Sequence, residues 1–83
     1  SLNTNEVSKL NYSVYPNPAE NYFSISNKVD TVQIFDINGR LLKEYKGNFN
    51  ANHRFETNDL NTGLYFIRYT NQEQSQTQKL LIN

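Results

Sequence analysis

His53 is the only histidine in the 83-residue sequence, so a hydrolytic triad or an imidazole acid–base site would have to use it. It stands beside Arg54 in a polar stretch, and no serine has Gly-x-Ser-x-Gly around it. A solvated loop or strand-edge position accounts for it. The eight Asp and Glu are spread singly, mostly at turns, at positions such as Glu20, Asp30, Asp36, Glu44, Glu56, Asp59 and Glu73. Glycoside hydrolysis needs two such acids facing each other across a cleft, and a domain this small has little room for one. Asp36-Ile37-Asn38-Gly39 has the opening of a calcium loop but not its further oxygen ligands or closing Glu. A hairpin turn explains the same residues. The lack of Cys removes zinc fingers, disulfide frameworks and thiol nucleophiles. The zero net charge removes a general nucleic-acid binder, which needs a basic excess. No catalytic residue, metal or cofactor is expected.

Recognition chemistry is the next candidate. Flat rings stack on the apolar faces of sugars, and Tyr12, Tyr15, Tyr22 and Tyr45 are the rings available for a carbohydrate platform. The absence of Trp, and the tendency of Tyr in small domains to fill cores with the hydroxyl kept wet, weigh against it. Asn11-Tyr12-Ser13 fits the N-glycosylation acceptor, but chance supplies such triplets readily in a chain with fourteen Asn.

The elements that would position these residues are strands. Ala occurs only at positions 19 and 51, and Asn favours turns and caps over helix interiors. Leu, Ile, Val and Phe make up 22 of the 83 residues, enough for a modest core without disulfides. Residues 1–9 read as the end of a linker, and residues 10–83 as one domain. A first strand over Leu10–Tyr15 ends in the rigid turn Tyr15-Pro16-Asn17-Pro18. Tyr22–Ser26 directs Phe23 and Ile25 to one side. Lys28–Asp30 is a turn, and Thr31–Ile37 is a strand with Val32 and Ile34 on one face. Asn38-Gly39 predicts a two-residue type I′ hairpin into Arg40–Lys46. Gly47–Asn52 reads as a loop and Arg54–Thr57 as a short strand around Phe55. Asn58–Gly63 is a turn, with Gly63 in a conformation other residues resist. Leu64–Thr70 sets Tyr65, Ile67 and Tyr69 on the core face. Asn71–Ser75 turns the chain, and Gln76–Ile82 closes it with Leu80 and Ile82 inward. Seven strands about ten residues apart predict an all-β antiparallel sandwich whose core holds Phe23, Ile25, Ile34, Tyr65, Ile67 and Leu80. No apolar run approaches the roughly 18 residues that span a bilayer, and nothing looks like a signal peptide.

Four motifs follow in order: Val14-Tyr15-Pro16-Asn17-Pro18-Ala19, then Val32 to Leu41 with Asn38-Gly39-Arg40, then Leu60-Asn61-Thr62-Gly63-Leu64-Tyr65-Phe66-Ile67-Arg68, and last Lys79-Leu80-Leu81-Ile82. From about Val14 to Asn83 this resembles the type A C-terminal sorting domain of type IX secretion cargo, found in Bacteroidetes. Each motif alone is weak; their order and spacing are specific.

The resemblance implies a seven-stranded Ig-like sandwich and an address rather than a chemistry. Such domains follow a larger cargo, cross the periplasm, are recognised by type IX translocon components in the outer membrane, and are removed by a sortase-like peptidase. The cargo then stays at the surface or is released. The matching positions are Pro16, Asn17, Pro18, Gly39, Gly63, Tyr65, Lys79 and Leu81. Turn and core roles account for Asn38, Gly39, Gly63 and Tyr65. No packing reason demands Lys79, so it and the last strand are assigned to recognition. The family's second terminal basic residue is absent, since the tail reads Leu80-Leu81-Ile82-Asn83. An edge strand at the end is expected to offer unpaired backbone groups that a partner extends. Cleavage is expected before Leu10. A carbohydrate-binding module or a passive Ig-like spacer of a secreted enzyme are the competing readings.

Overall fold

Alternation of apolar and polar residues, broken by short turn-rich gaps, builds seven strands and no helix across residues 12–83, the part of the chain that the computed structural model describes. The expected linker at residues 1–9, and Leu10 and Asn11 of the expected first strand, lie outside the described residues; Tyr12 and Ser13 are described but precede that strand, which begins only at Val14. The strands are β1 (Val14–Tyr15), β2 (Tyr22–Ile25), β3 (Val29–Phe35), β4 (Leu41–Phe49), β5 (Arg54–Glu56), β6 (Gly63–Asn71) and β7 (Gln74–Ile82). One sheet has the order β1-β2-β5 and the other β4-β3-β6-β7, with every strand pair antiparallel. Their inner faces share one core, so the all-β antiparallel sandwich is the observed fold.

All six expected core residues are buried. Val14, Ala19, Val29, Val32, Phe55, Tyr69 and Ile82 join them. Phe55 is the hinge between the layers. It stacks on Phe23 of its own sheet at 5.2 Å and meets Tyr45 and Phe49 of the other sheet at the same distance. These offset and tilted rings suit the quadrupole of the aromatic face.

Several local expectations fail. The β3–β4 connection is not a two-residue type I′ turn. Phe35 pairs with Leu41, Gly39 N–H donates to the Asp36 carbonyl at 3.0 Å, and Asp36 N–H donates to the Arg40 carbonyl at 3.0 Å. Only Gly39, at φ 83°, is left-handed there, while Asn38 is not. This is the longer loop in which a turn is followed by a left-handed glycine. The Asp36 carboxylate selects it by accepting from the N–H groups of Asn38 and Arg40, both at 2.9 Å. The Arg40 N–H, then that of Asn38 and the Arg40 guanidinium, hold the Asp36 carboxyl below its ordinary value. Ile37 consequently leaves β3 and lies in solvent, 66% exposed.

Val29 and Asp30, expected in a turn, begin β3, and Gly47 does not end β4. Val29 pairs with Phe49 across a bulge, and the Phe49 ring packs on Phe55 and His53. That anchor carries the strand through the glycine. Finally, β6 and β7 run longer than expected and are joined by a two-residue loop, Gln72-Glu73, closed by the Asn71–Gln74 pair.

Gln72 occupies that loop at φ 58°, a region that costs a residue with a Cβ roughly 1–2 kcal/mol. Its N–H donates to the Asp30 carboxylate at 2.8 Å, a backbone bond any residue keeps. Gln72→Gly is expected to stabilise the domain by about 0.5–1 kcal/mol after glycine's own entropy cost. Thermal melting should then rise by roughly 2–8 °C; a fall would mean that the loop rearranges around Gln72.

Candidate recognition surface

The sheet register gathers motifs that are far apart in sequence. Phe35 pairs with Phe66, and Phe66 with Lys79. The end of β3, the start of β6 and the end of β7 therefore lie at one end of the four-stranded sheet. The turn carrying Gly39, the strand entry at Gly63, and Lys79 to Ile82 share that end. Gly63 opens β6 opposite Ile82 at φ 157°, a backbone conformation that residues with a Cβ rarely adopt, as its place in the sequence leads one to expect. Tyr65 is buried, and its hydroxyl donates to the Asn61 carbonyl at 2.6 Å, which fixes the turn before β6.

The Pro-Asn-Pro segment reaches the same place from the other sheet. Asn17 Nδ2 donates to the Lys79 carbonyl at 3.2 Å, and Asn17 Oδ1 accepts from the Leu81 N–H at 3.1 Å. Two residues on, the Ala19 N–H donates to the Leu81 carbonyl at 2.7 Å and the Asn83 N–H donates to the Ala19 carbonyl at 2.8 Å. Ala19 thus bridges in parallel to Ile82. The Asn17 side-chain amide repeats the same pattern one step earlier, bonding the residues on either side of Leu80 as a parallel strand residue would. The segment works as a short pseudo-strand along β7. Pro18 falls between the two bonding positions, where no N–H is needed. Ala19 is completely buried, which accounts for its small side chain.

β7 is an edge strand, as expected, but its last stretch is not open. The carbonyls of Lys79 and Leu81 and the N–H groups of Leu81 and Asn83 are all occupied by this segment. A partner cannot extend these residues without displacing it.

Side chains are on offer. On the outer face of the four-stranded sheet, Leu41, Phe35, Phe66 and Lys79 form one cross-strand row, and Leu64 stands opposite Leu81 beside it. Leu41, Leu42, Leu64, Leu81 and Ile37 are exposed, and Phe35 and Phe66 are half-buried. Among the described residues the ion pairs are Arg40–Asp36 and Lys43–Asp59, so the exposed Lys79 ammonium has no carboxylate partner there. This exposed apolar cluster at one end of a small domain is the candidate interaction surface. Lys79 and Leu81 belong to it directly. Pro16, Asn17, Pro18, Gly39, Gly63 and Tyr65 build its frame. Leu64, Phe66, Phe35 and Leu41 were not singled out from the sequence, although strand alternation already put Leu64 and Phe66 on the face away from the core.

The carbohydrate platform finds no support in the geometry. Tyr12 lies flat on Tyr69 with centroids 5.5 Å apart, and Tyr45 packs on Phe55. Arg54 covers Tyr22 at 4.2 Å from its centroid, and the Tyr15 hydroxyl bonds the Asn52 side chain. The four rings do not form an exposed coplanar row. His53 is exposed and packs edge-on to Phe55 at 4.8 Å. Among the described residues no three His, Asp or Glu side chains gather as a metal site requires, and no helix is long and apolar enough to cross a membrane.

No curated protein and no solved structure matches this chain. The sequence profile of the secretion system C-terminal sorting domain matches residues 13–83, spanning all four motifs and all seven strands. The chain therefore belongs to the type IX secretion C-terminal sorting domain family.

Proposed function

We propose that this domain is the non-catalytic address of a larger secreted or cell-surface cargo, and that the type IX translocon reads the outer-face cluster around Leu64, Leu81 and Lys79. The cargo precedes the domain in the parent chain and crosses the periplasm with it. A sortase-like peptidase then cuts before Leu10, in a stretch outside the described residues, and the cargo is attached to the outer-membrane surface or released. The observation that carries the reading is the convergence of the four motifs at one end of the sandwich, beside exposed apolar side chains and a Lys79 ammonium with no carboxylate partner among the described residues. Pro16, Asn17, Pro18, Gly39, Gly63 and Tyr65 frame that end through turns, backbone bonds and core packing.

The test separates folding from reading. Leu64→Thr, Lys79→Thr and Leu81→Thr are combined in a reporter carrying this domain at its C-terminus. Thr keeps strand propensity and all three side chains are exposed, so melting should shift by only a few degrees. Loss of a central anchor typically weakens binding by tenfold or more, and export of the reporter should fall by at least about that factor. Wild-type export of the folded triple variant would reject this face as the address.

A further inference from the structure

Two residues ahead of β1 fasten the chain to the sandwich. The Tyr12 ring lies flat on the fully buried Tyr69 of β6, with centroids 5.5 Å apart and 7° between the planes. Its hydroxyl accepts from Asn71 Nδ2 at 2.8 Å, and its carbonyl accepts from Gln78 Nε2 at 2.9 Å. The same Gln78 amide donates to the Tyr69 hydroxyl at 2.6 Å. The Ser13 N–H donates to Ser26 Oγ at 2.8 Å, and the Ser13 carbonyl accepts from the Ser26 N–H at 2.9 Å. Consecutive residues are thereby held by β6, by β7 and by the segment that follows β2.

A peptidase draws residues on both sides of the scissile bond into its cleft as an extended strand, with their backbone groups free to pair. From Tyr12 onward such groups are committed to the fold, and cutting there requires local opening first. We propose that Tyr12 and Ser13 form the clamp that limits how far cleavage advances toward the sandwich, so that the severed bond is set by its distance from Tyr12. This rests on the reading that a peptidase cuts before Leu10. Leu10 and Asn11 are then the stretch that the cleft takes up on the downstream side.

Gln78 makes the clamp depend on the last strand. Side chains alternate along β7, so the register that seats Leu80 and Ile82 in the core turns Gln78 to the same side. A slip of one residue would carry it to the opposite face, and the Tyr12 carbonyl would lose its donor. The boundary is complete once β7 is paired in register.

The test digests the 83-residue chain with a peptidase of broad specificity and reads the start of the resistant fragment by mass spectrometry. In wild type, trimming is expected to stop ahead of Tyr12. Tyr12→Ala should let it run on, with the cut between Ser13 and Val14 appearing at least about tenfold faster. Tyr12→Phe keeps the ring and the carbonyl bond, and should stop where wild type does. Gln78→Ala should speed cutting past Tyr12 severalfold. Gly-Ser inserted between Lys9 and Leu10 should leave the number of residues ahead of Tyr12 unchanged. Three results overturn the proposal: a wild-type fragment that begins at Val14 or later, a folded Tyr12→Ala chain trimmed to the same residue as wild type, or an insertion that shifts the cut by its own length. If Tyr12→Ala fails to fold and leaves no resistant fragment, Gln78→Ala is read instead, and cutting past Tyr12 at the wild-type rate overturns the proposal. Export and the cell's own peptidase play no part in the digestion. A cargo severed elsewhere in the cell would therefore reject the proposed processing separately from the clamp.

Discussion

Deleting Lys79–Asn83 is expected to unfold the domain, not merely to silence a detachable tag. Leu80 and Ile82 are fully buried on the core face of β7. Withdrawing their side chains forfeits about 3–6 kcal/mol of apolar burial. The bonds to Asn17 and Ala19 go with them, at about 1 kcal/mol each, and Tyr65 loses its cross-strand neighbour Leu80. A domain of this size is held by roughly 4–10 kcal/mol in all. The loss matches the whole margin. Circular dichroism and urea titration of the truncated chain should show no cooperative transition at 25 °C. A truncated domain that still melts cooperatively would mean that β7 is dispensable to the core. Lost export after such a truncation would say nothing about which side chains are read, so the surface triple variant is the informative one.

Phe55→Ala is the second large effect. Its ring is 2% exposed and touches Phe23, Tyr45, Phe49 and His53 within about one ring diameter. Because it joins the layers, neighbours from both sheets would have to move together to fill the space. Truncations of this type cost about 3–5 kcal/mol, close to the entire stability. The urea midpoint should fall by half or more, with folding recovered in part by Phe55→Leu. A midpoint within a few tenths molar of wild type would show that the layers repack freely. By contrast, the single contact His53 makes with the same ring sits in solvent, where packing has little to lose.

Much of this fold is legible in the sequence because burial acts locally along a strand. Phe23 with Ile25, Val32 with Ile34, and Tyr65 with Ile67 and Tyr69 recur at every second position, and each set faces the core. Phe55 announces a three-residue strand by itself. What escapes is set by partners far away in the chain. Gly47 reads as a breaker, yet the fit of Phe49 against Phe55 holds β4 together beyond it. Asn38-Gly39 suggests a two-residue turn, but the Asp36 carboxylate two residues earlier recruits the Asn38 and Arg40 N–H groups to a longer one. Pro16-Asn17-Pro18 is legible as rigid. That its Asn imitates a peptide unit against a strand 62 residues away leaves no local trace. The candidate site is legible at Lys79 and Leu81 through the family resemblance. Its apolar surroundings become visible only when the register lines up Leu41, Phe35 and Phe66.

The bonds between Asn17 and β7 also set a timetable. Tyr12 is tied to Gln78, and Asn17 to Lys79 and Leu81, across most of the length of the domain. A nascent chain emerging from the ribosome cannot make these contacts until its final strand has left the exit tunnel, and long-range pairings of this kind form late. Products of stalled translation that stop short of Leu80 would lack both the lock and the face beside it. A folded sandwich therefore requires that the chain be synthesised through β7.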